Sequence, residues 1–393
     1  MLWRRAGGLC LLLCWAWATP AQAAAFSHDI TQLSYTDVDS PLQKHLQSQQ
    51  QQKQEHKQKP ITTTTISSIL FTSLERLARL VDIAYCVGSL PGISRPFTCA
   101  SRCADFPHVS LVNTWDTGPL LTDSCGYVAI DHADEAIVVA FRGTYSIANT
   151  VIDLSTVPQE YVPYPEPDDD GDRERCDNCT VHLGFLASWK VARNLVLPAI
   201  EEARQKHPGF SINLVGHSLG GAVAALAALE LKLISGYDVV VTTFGEPRVG
   251  NSGLAKFIDR VFGLDQEAKE DMAYRRVTHA EDPVPLLPLE EWGYRSHAGE
   301  IHIEKPALPP APTDIKLCKG ERDPDCSNGN SDAALTTLLL GEEHYLKKQH
   351  LKLWQLFFAH RDYFWRLGLC VPGGDPADWG RDKYDVAPGQ DEL

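Results

Sequence analysis

The stretch NLVGHSLGGAVAAL, residues 213–226, decides how the rest of the chain is read. Ile212, Leu214 and Val215 form a short apolar strand, and the alanines and leucines from Gly221 onward have helical character. Strand, tight turn and helix together are the setting of a nucleophile elbow. There, two glycines leave room for a strained turn that lifts a serine hydroxyl clear of the sheet. Gly216 and Gly220 flank Ser218 at that spacing. The glycine–serine–glycine pattern alone is loose, and an ordinary serine in a glycine-rich turn is the plain alternative. Context makes Ser218 the candidate nucleophile.

The 393 residues suffice for one large domain or two small ones, and 44% hydrophobic against 22% charged residues is an ordinary globular balance. A formal charge of −15 presents a repulsive field to nucleic acid, so that class of partner is set aside. Arg4 and Arg5, the apolar run Leu9–Trp17 and the small-residue site Ala21-Gln22-Ala23 predict a signal peptide over 1–23. No later stretch is long and apolar enough to predict a membrane span, so the mature protein is expected to be soluble in the secretory pathway. Of 11 cysteines, Cys10 and Cys14 fall in the signal. Cys99/Cys103, Cys176/Cys179 and Cys318/Cys326 are locally spaced pairs, and Cys86 and Cys370 lie near opposite ends of the folded region. Cys125 is left over as a buried thiol. A four-cysteine zinc site competes with the first two local pairs, but a secreted chain favours disulfides.

Residues 24–60, including QSQQQQKQEHKQKP, hold too little apolar surface to fold and read as a low-complexity leader or propeptide. A catalytic domain is expected over 61–376, and 377–393 is a tail. Leu70, Leu74, Leu77, Leu80, Val81 and Ala84 predict an amphipathic helix ending near Gly88. Strands are predicted at VSLVNTW, GYVAID and AIVVAF, and a helix over Leu186–Lys206 that Pro198 kinks or breaks. After the strand and helix around Ser218 come a strand at DVVVTTF, a helix over Asn251–Phe262, a strand at AYRRVTHA and a last helix over about Glu342–Phe358. Such alternation argues for an α/β sheet covered on both faces.

A serine hydroxyl is a weak nucleophile until a histidine takes its proton and a carboxylate orients that histidine. Behind an elbow the chain order is serine, acid, histidine, the partners lying on loops past strand ends. Asp282 follows AYRRVTHA directly and Pro283 turns the chain after it; a turn-forming aspartate is the competing role. His344 and His350 fall on a predicted helix face and His302 in the alternating segment EIHIE. Composition and spacing leave both His297 and His360 open as the base.

Motifs along about three hundred residues, Ile66 to Cys370, resemble the fungal class 3 lipase family of secreted α/β-hydrolases. They are AYC at Ala84, FRGTYSI at Phe141, HLGFLASW at His182, VGHSLGGA at Val215, GEPRVGN at Gly245, HAEDPVPLLP at His279 and HRDYF at His360. The resemblance implies an α/β-hydrolase fold, a mixed central sheet with helices on both faces and a lid over the site. It makes Ser218 the nucleophile, Asp282 the acid and His360 the base, with the N–H groups of Thr144 and Leu219 as the oxyanion hole. It also implies disulfides Cys86–Cys370, Cys99–Cys103 and Cys176–Cys179; Cys318–Cys326 is similar to a pair in some members. No metal or organic cofactor is implied.

Beyond Thr144, Ile147, Val151, Ile152 and Leu154 share one apolar face over two short turns, and the resemblance makes this the lid. Many relatives carry a tryptophan there; the corresponding place here is Thr150. Feruloyl esterases share the fold with a polar lid, so these apolar residues lean toward lipid esters. PYPEPDDDGDRERC, with Glu166, Asp168 and Asp170, lacks the start and closing glutamate of a calcium loop and reads as solvated surface. Residues 305–341 read as a polar loop, and Asn178 is a glycosylation candidate. The ending Gln390-Asp391-Glu392-Leu393 is one residue from KDEL, so an ER retrieval receptor is an expected partner, with the ER lumen or the medium as destination. The function expected is a serine triacylglycerol lipase acting on lipid esters at a transient lipid–water interface. Its alternatives are an esterase for soluble feruloyl or short acyl esters, a phospholipase, or a catalytically silent lipid-binding protein of the ER.

Overall fold

Eight strands build the central sheet of the computed structural model, which describes residues 65–118, 124–144, 158–162, 175–264, 268–327 and 358–379. They are β1 (Val109–Asp116), β2 (Cys125–Asp131), β3 (Ala136–Phe141), β4 (Ser211–His217), β5 (Val239–Phe244), β6 (Tyr274–His279), β7 (Glu300–Ile303) and β8 (Ile315–Leu317). Their order across the sheet is their order along the chain. Strands β3 to β7 are parallel, while β1, β2 and β8 run antiparallel to their neighbours. The chain divides into Met1–Thr62 and Thr63–Leu393, and every described residue lies in the second unit.

Alternation along the strands sends side chains to two cores. Ile137, Val139 and Phe141 of β3 join Ile212, Leu214, Val239 and Val241 beneath helices α2 (Leu183–Lys206), α3 (Leu219–Leu233) and α4 (Ser252–Phe262). Val138 and Ala140, from the same strand, face the other way. With Val215, Phe244 and Val277 they pack against Leu70, Leu74, Leu80 and Val81 of the first helix, Ser68–Ile83. Both faces of the sheet are therefore covered here, and β2 and β3 are buried along their whole length. Ser67 caps the first helix through Leu70 N, and Gly263 ends α4 in the left-handed region that glycine adopts without steric cost.

Pro198 does not break its helix, which runs 24 residues through it. Pro198 and Asn194 both lie on the exposed face, so the carbonyl that loses its partner is open to water. The loop expected over 305–341 contains β8. A small four-stranded sheet, made of Tyr294–Arg295, Gly250–Asn251, Thr180–His182 and Pro158–Glu160, was not foreseen. The helix expected at Glu342–Phe358, the signal peptide, the leader and the QDEL tail lie outside the described residues. No helix among the described residues is long and apolar enough to cross a membrane.

Disulfides join Cys86 to Cys370, Cys99 to Cys103, Cys176 to Cys179 and Cys318 to Cys326. Cys125 is free and buried, its thiol donating to Asp116 Oδ1 at 3.1 Å. Burial and that carboxylate push the thiol up to about 12, so it stays protonated and inert. Cys86–Cys370 closes 284 residues. Replacing both by serine should lower unfolding free energy by about 2 to 5 kcal/mol, read from urea midpoints of the oxidised and variant proteins.

Candidate active site

Ser218 stands at the corner between β4 and α3 with φ 59° and ψ −133°, a backbone conformation that side chains other than glycine rarely adopt. The corner is pinned by Ser218 N–H donating to Phe244 O at 2.9 Å and Gly221 N–H donating to Ser218 O at 2.8 Å. A Cβ on Gly216 would come within 2.4 Å of Gly220 O, and one on Gly220 within 2.4 Å of Phe141 O. Glycine is thus required at both positions by backbone approach. Leu219 opens α3, so its N–H is one of the unsatisfied donors at a helix N-terminus. On the other side, a Cβ on Gly143 would lie 2.7 Å from Ser218 Cβ, so Gly143, just before Thr144, lies directly against the serine.

Asp282 lies in the turn after β6, its N–H donating to His279 O at 3.0 Å. Its carboxylate accepts from Val284 N at 2.9 Å, from the Tyr363 hydroxyl, and from His360 Nδ1 at 2.9 and 2.8 Å to the two oxygens. Burial would raise the Asp282 carboxyl, but the adjacent His360 and these hydrogen bonds hold it below the usual carboxylate range. Both Asp282 and His360 are buried, and the imidazole rests on the backbone of Gly245, where a Cβ would meet His360 Cε1 at 2.7 Å. Because a carboxylate only accepts, Nδ1 of His360 carries the proton in the neutral ring and Nε2 has the lone pair. Nε2 is buried without a hydrogen-bond partner among the described residues.

His297, the other histidine that spacing left open, belongs elsewhere. Its Nε2 pairs with Glu246 Oε1 at 3.1 Å, and its Nδ1 with Ala298 O at 2.8 Å. Glu246 in turn accepts from Thr243 Oγ1 at 2.6 Å and Tyr274 Oη at 2.8 Å, which makes this a satisfied buried network below the sheet's end. Asn178 is exposed at φ 57° between the bridged Cys176 and Cys179, its carbonyl accepting from Asn251 Nδ2 at 2.8 Å. The lid residues Ile147, Val151, Ile152 and Leu154 lie outside the described residues. Glu300, Cys318 and Cys326 come close enough to share an ion, but both sulfurs are tied in a disulfide and offer no thiolate.

Three buried side chains at this site were not singled out in the sequence. Tyr363 bonds Asp282, His217 stacks on His360 with ring centroids 4.7 Å apart, and Tyr85 bonds His217 at 2.6 Å. Each sits inside a motif quoted above, and its place in that motif was the only available signal.

The family described as Lipase (class 3) matches residues 138–292, which run from β3 through the corner at Ser218 to Asp282 and beyond. Secreted mono- and diacylglycerol lipase 2 of Gibberella zeae is 57% identical over 363 residues, covering 84% of this chain and 89% of that protein. Lipase A of Sodiomyces alcalophilus is 55% identical over 361 residues, covering 81% and 86%. Among solved structures, the Lip2 lipase of Yarrowia lipolytica superposes with a TM-score of 0.65 at 31% identity, covering 79% of this chain and 98% of that one. With an eight-stranded mixed sheet, a strained serine corner and likeness of this extent, the chain belongs to the fungal class 3 lipases, carboxylic ester hydrolases of the α/β-hydrolase fold.

Proposed function

We propose that the chain hydrolyses acylglycerols through an acyl-enzyme on Ser218, with His360 as base and Asp282 as its orienting acid. The observation that carries this reading is the buried His360–Asp282 pair, which leaves Nε2 as the ring nitrogen without a partner among the described residues. Nε2 takes the Ser218 proton as Oγ attacks the ester carbonyl, then delivers it to the departing glycerol oxygen. Water activated by the same nitrogen releases the fatty acid and frees Ser218. Charge on the tetrahedral oxygen is met by the N–H groups of Leu219 and Thr144, each worth about 3 to 4 kcal/mol in such a role. Ile147, Val151, Ile152 and Leu154 supply an apolar cover that lipid can displace. Relatives named as mono- and diacylglycerol lipases favour testing partial glycerides beside triacylglycerol.

Rates on matched mono-, di- and tributyrin, followed through the solubility limit, test the reading. A jump as droplets form is expected for a lipase, and saturation below that limit would make the protein an esterase for soluble esters. Ser218→Ala should lower kcat by about 10⁶-fold, and activity surviving it would remove Ser218 from the mechanism.

Asp282→Asn should cost about 10⁴-fold in kcat by disturbing the histidine tautomer. The same substitution has a stability signature. The folded-state pKa of Asp282 lies below its ordinary value of 3.8, so the carboxylate stabilises the fold fully above that value and progressively less as pH falls through the folded pKa. Urea midpoints of wild type and Asp282→Asn should therefore converge below about pH 4; a constant gap down to pH 2 would contradict the assignment.

Retention in the ER lumen through Gln390–Leu393 completes the proposal, for a chain whose similar proteins include ones named as secreted. Deleting the four residues should shift the intact protein from cell lysate to medium. An unchanged distribution would make the protein simply secreted.

A further inference from the structure

We infer that Tyr85 and His217 form a buried relay that holds the oxyanion loop and the backbone of His360 in one geometry, which makes both of them positioning residues for the hydrolysis proposed above. The relay rests on that mechanism but on different atoms. His217 Nε2 lies 2.8 Å from the carbonyl oxygen of His360. A carbonyl only accepts, so Nε2 carries the His217 proton and Nδ1 is the acceptor. The group 2.6 Å from Nδ1 is the Tyr85 hydroxyl, which therefore donates. Its oxygen accepts in turn from Gly143 N–H at 3.2 Å. Each of these three bonds thus has an assigned donor and acceptor.

The chain joins the two halves of the machinery. Gly143 precedes Thr144 and touches Ser218, so its N–H bond to Tyr85 sets where the Thr144 amide points. At the other end, His217 holds the main chain of His360 while its ring stacks on the catalytic imidazole at an interplanar angle of 28°. Tyr85, His217 and His360 are each at most 2% exposed, so no water competes for these bonds. Burial and the neighbouring His360 push His217 down to about 3, which keeps its donor and acceptor roles unchanged over any pH at which a lipase works. An ångström of misplacement at either end is enough to cost about a hundredfold in rate.

The test uses the full chain and a soluble short-chain ester, with active sites counted by phosphonate titration. Tyr85→Phe removes one oxygen and leaves Gly143 N–H and His217 Nδ1 without the relay's partner. His217→Leu removes both His217 bonds, whereas His217→Gln can keep one donor and one acceptor. Tyr85→Phe and His217→Leu should lower kcat per titrated site by roughly 10- to 100-fold with KM within about twofold. His217→Gln should recover at least about tenfold over His217→Leu. A merely structural role would reduce the titratable fraction or Tm and leave kcat per site intact. Tyr85→Phe carries the test alone if His217→Leu does not fold. Wild type that fails to titrate would instead overturn the Ser218 mechanism. Titrating variants whose kcat stays within twofold of wild type would overturn the relay alone.

Discussion

Backbone crowding at the corner between β4 and α3 is the constraint on which the rest of the site depends. The carbonyls of Phe141 and Gly220 come so close to neighbouring Cα atoms that no side chain fits at Gly216 or Gly220. This crowding lets the helix start directly at the serine and pushes its backbone into the left-handed region. A residue held at φ 59° is sustained only by surroundings that over-determine it. Those surroundings are the bonds to Phe244 and within the first turn of α3, and the two apolar cores that clamp the sheet from both sides.

The second requirement is to bring a histidine from the far end of the chain to that corner. Contacts of the first helix and of Arg102 with residues 360–379 do this. Trp365 Nε1 donates to Glu75 at 2.6 Å, Gly368 N to Asp82 at 2.8 Å, and Arg102 Nη2 to Asp378 at 3.1 Å. Arg102 also lies over the Trp365 ring at 4.2 Å. Burial pushes Asp82 up to about 6 against the pull of Arg102, so this strap has a charged group held at a cost inside it. The energetic logic is that of a clasp: polar bonds within apolar packing specify one docking position for the segment that carries His360.

How much of this was legible depends on range. Strands of six to eight residues with apolar runs, such as β1 to β3, were readable because their side chains decide their burial locally. Strand β8 and the strands of the small sheet have two or three residues each, too few for any periodicity. Sequence leaves open whether Pro198 kinks or breaks its helix, because a helix's tolerance for it depends on which face meets water. At the site, the glycine spacing around Ser218 is local and was visible. The choice between His297 and His360 was not, since it turns on which of them meets an aspartate 78 residues away from His360 in sequence. Motif likeness supplied that choice; residue chemistry alone would have left it open. Tyr85 and His217 escaped for the same reason, their bond spanning 132 residues.

The order of the sheet has a consequence in time. Each strand of the central sheet pairs with the sheet strand made just before it, so the sheet can be extended from one edge to the other in the order of synthesis. The histidine is the exception. While the chain emerges from the ribosome, Ser218 and Asp282 are made well before residue 360, and the sheet can be complete through β8 before His360 is in place. On the proposed mechanism, a nascent chain of this kind is a folded scaffold that still lacks its base.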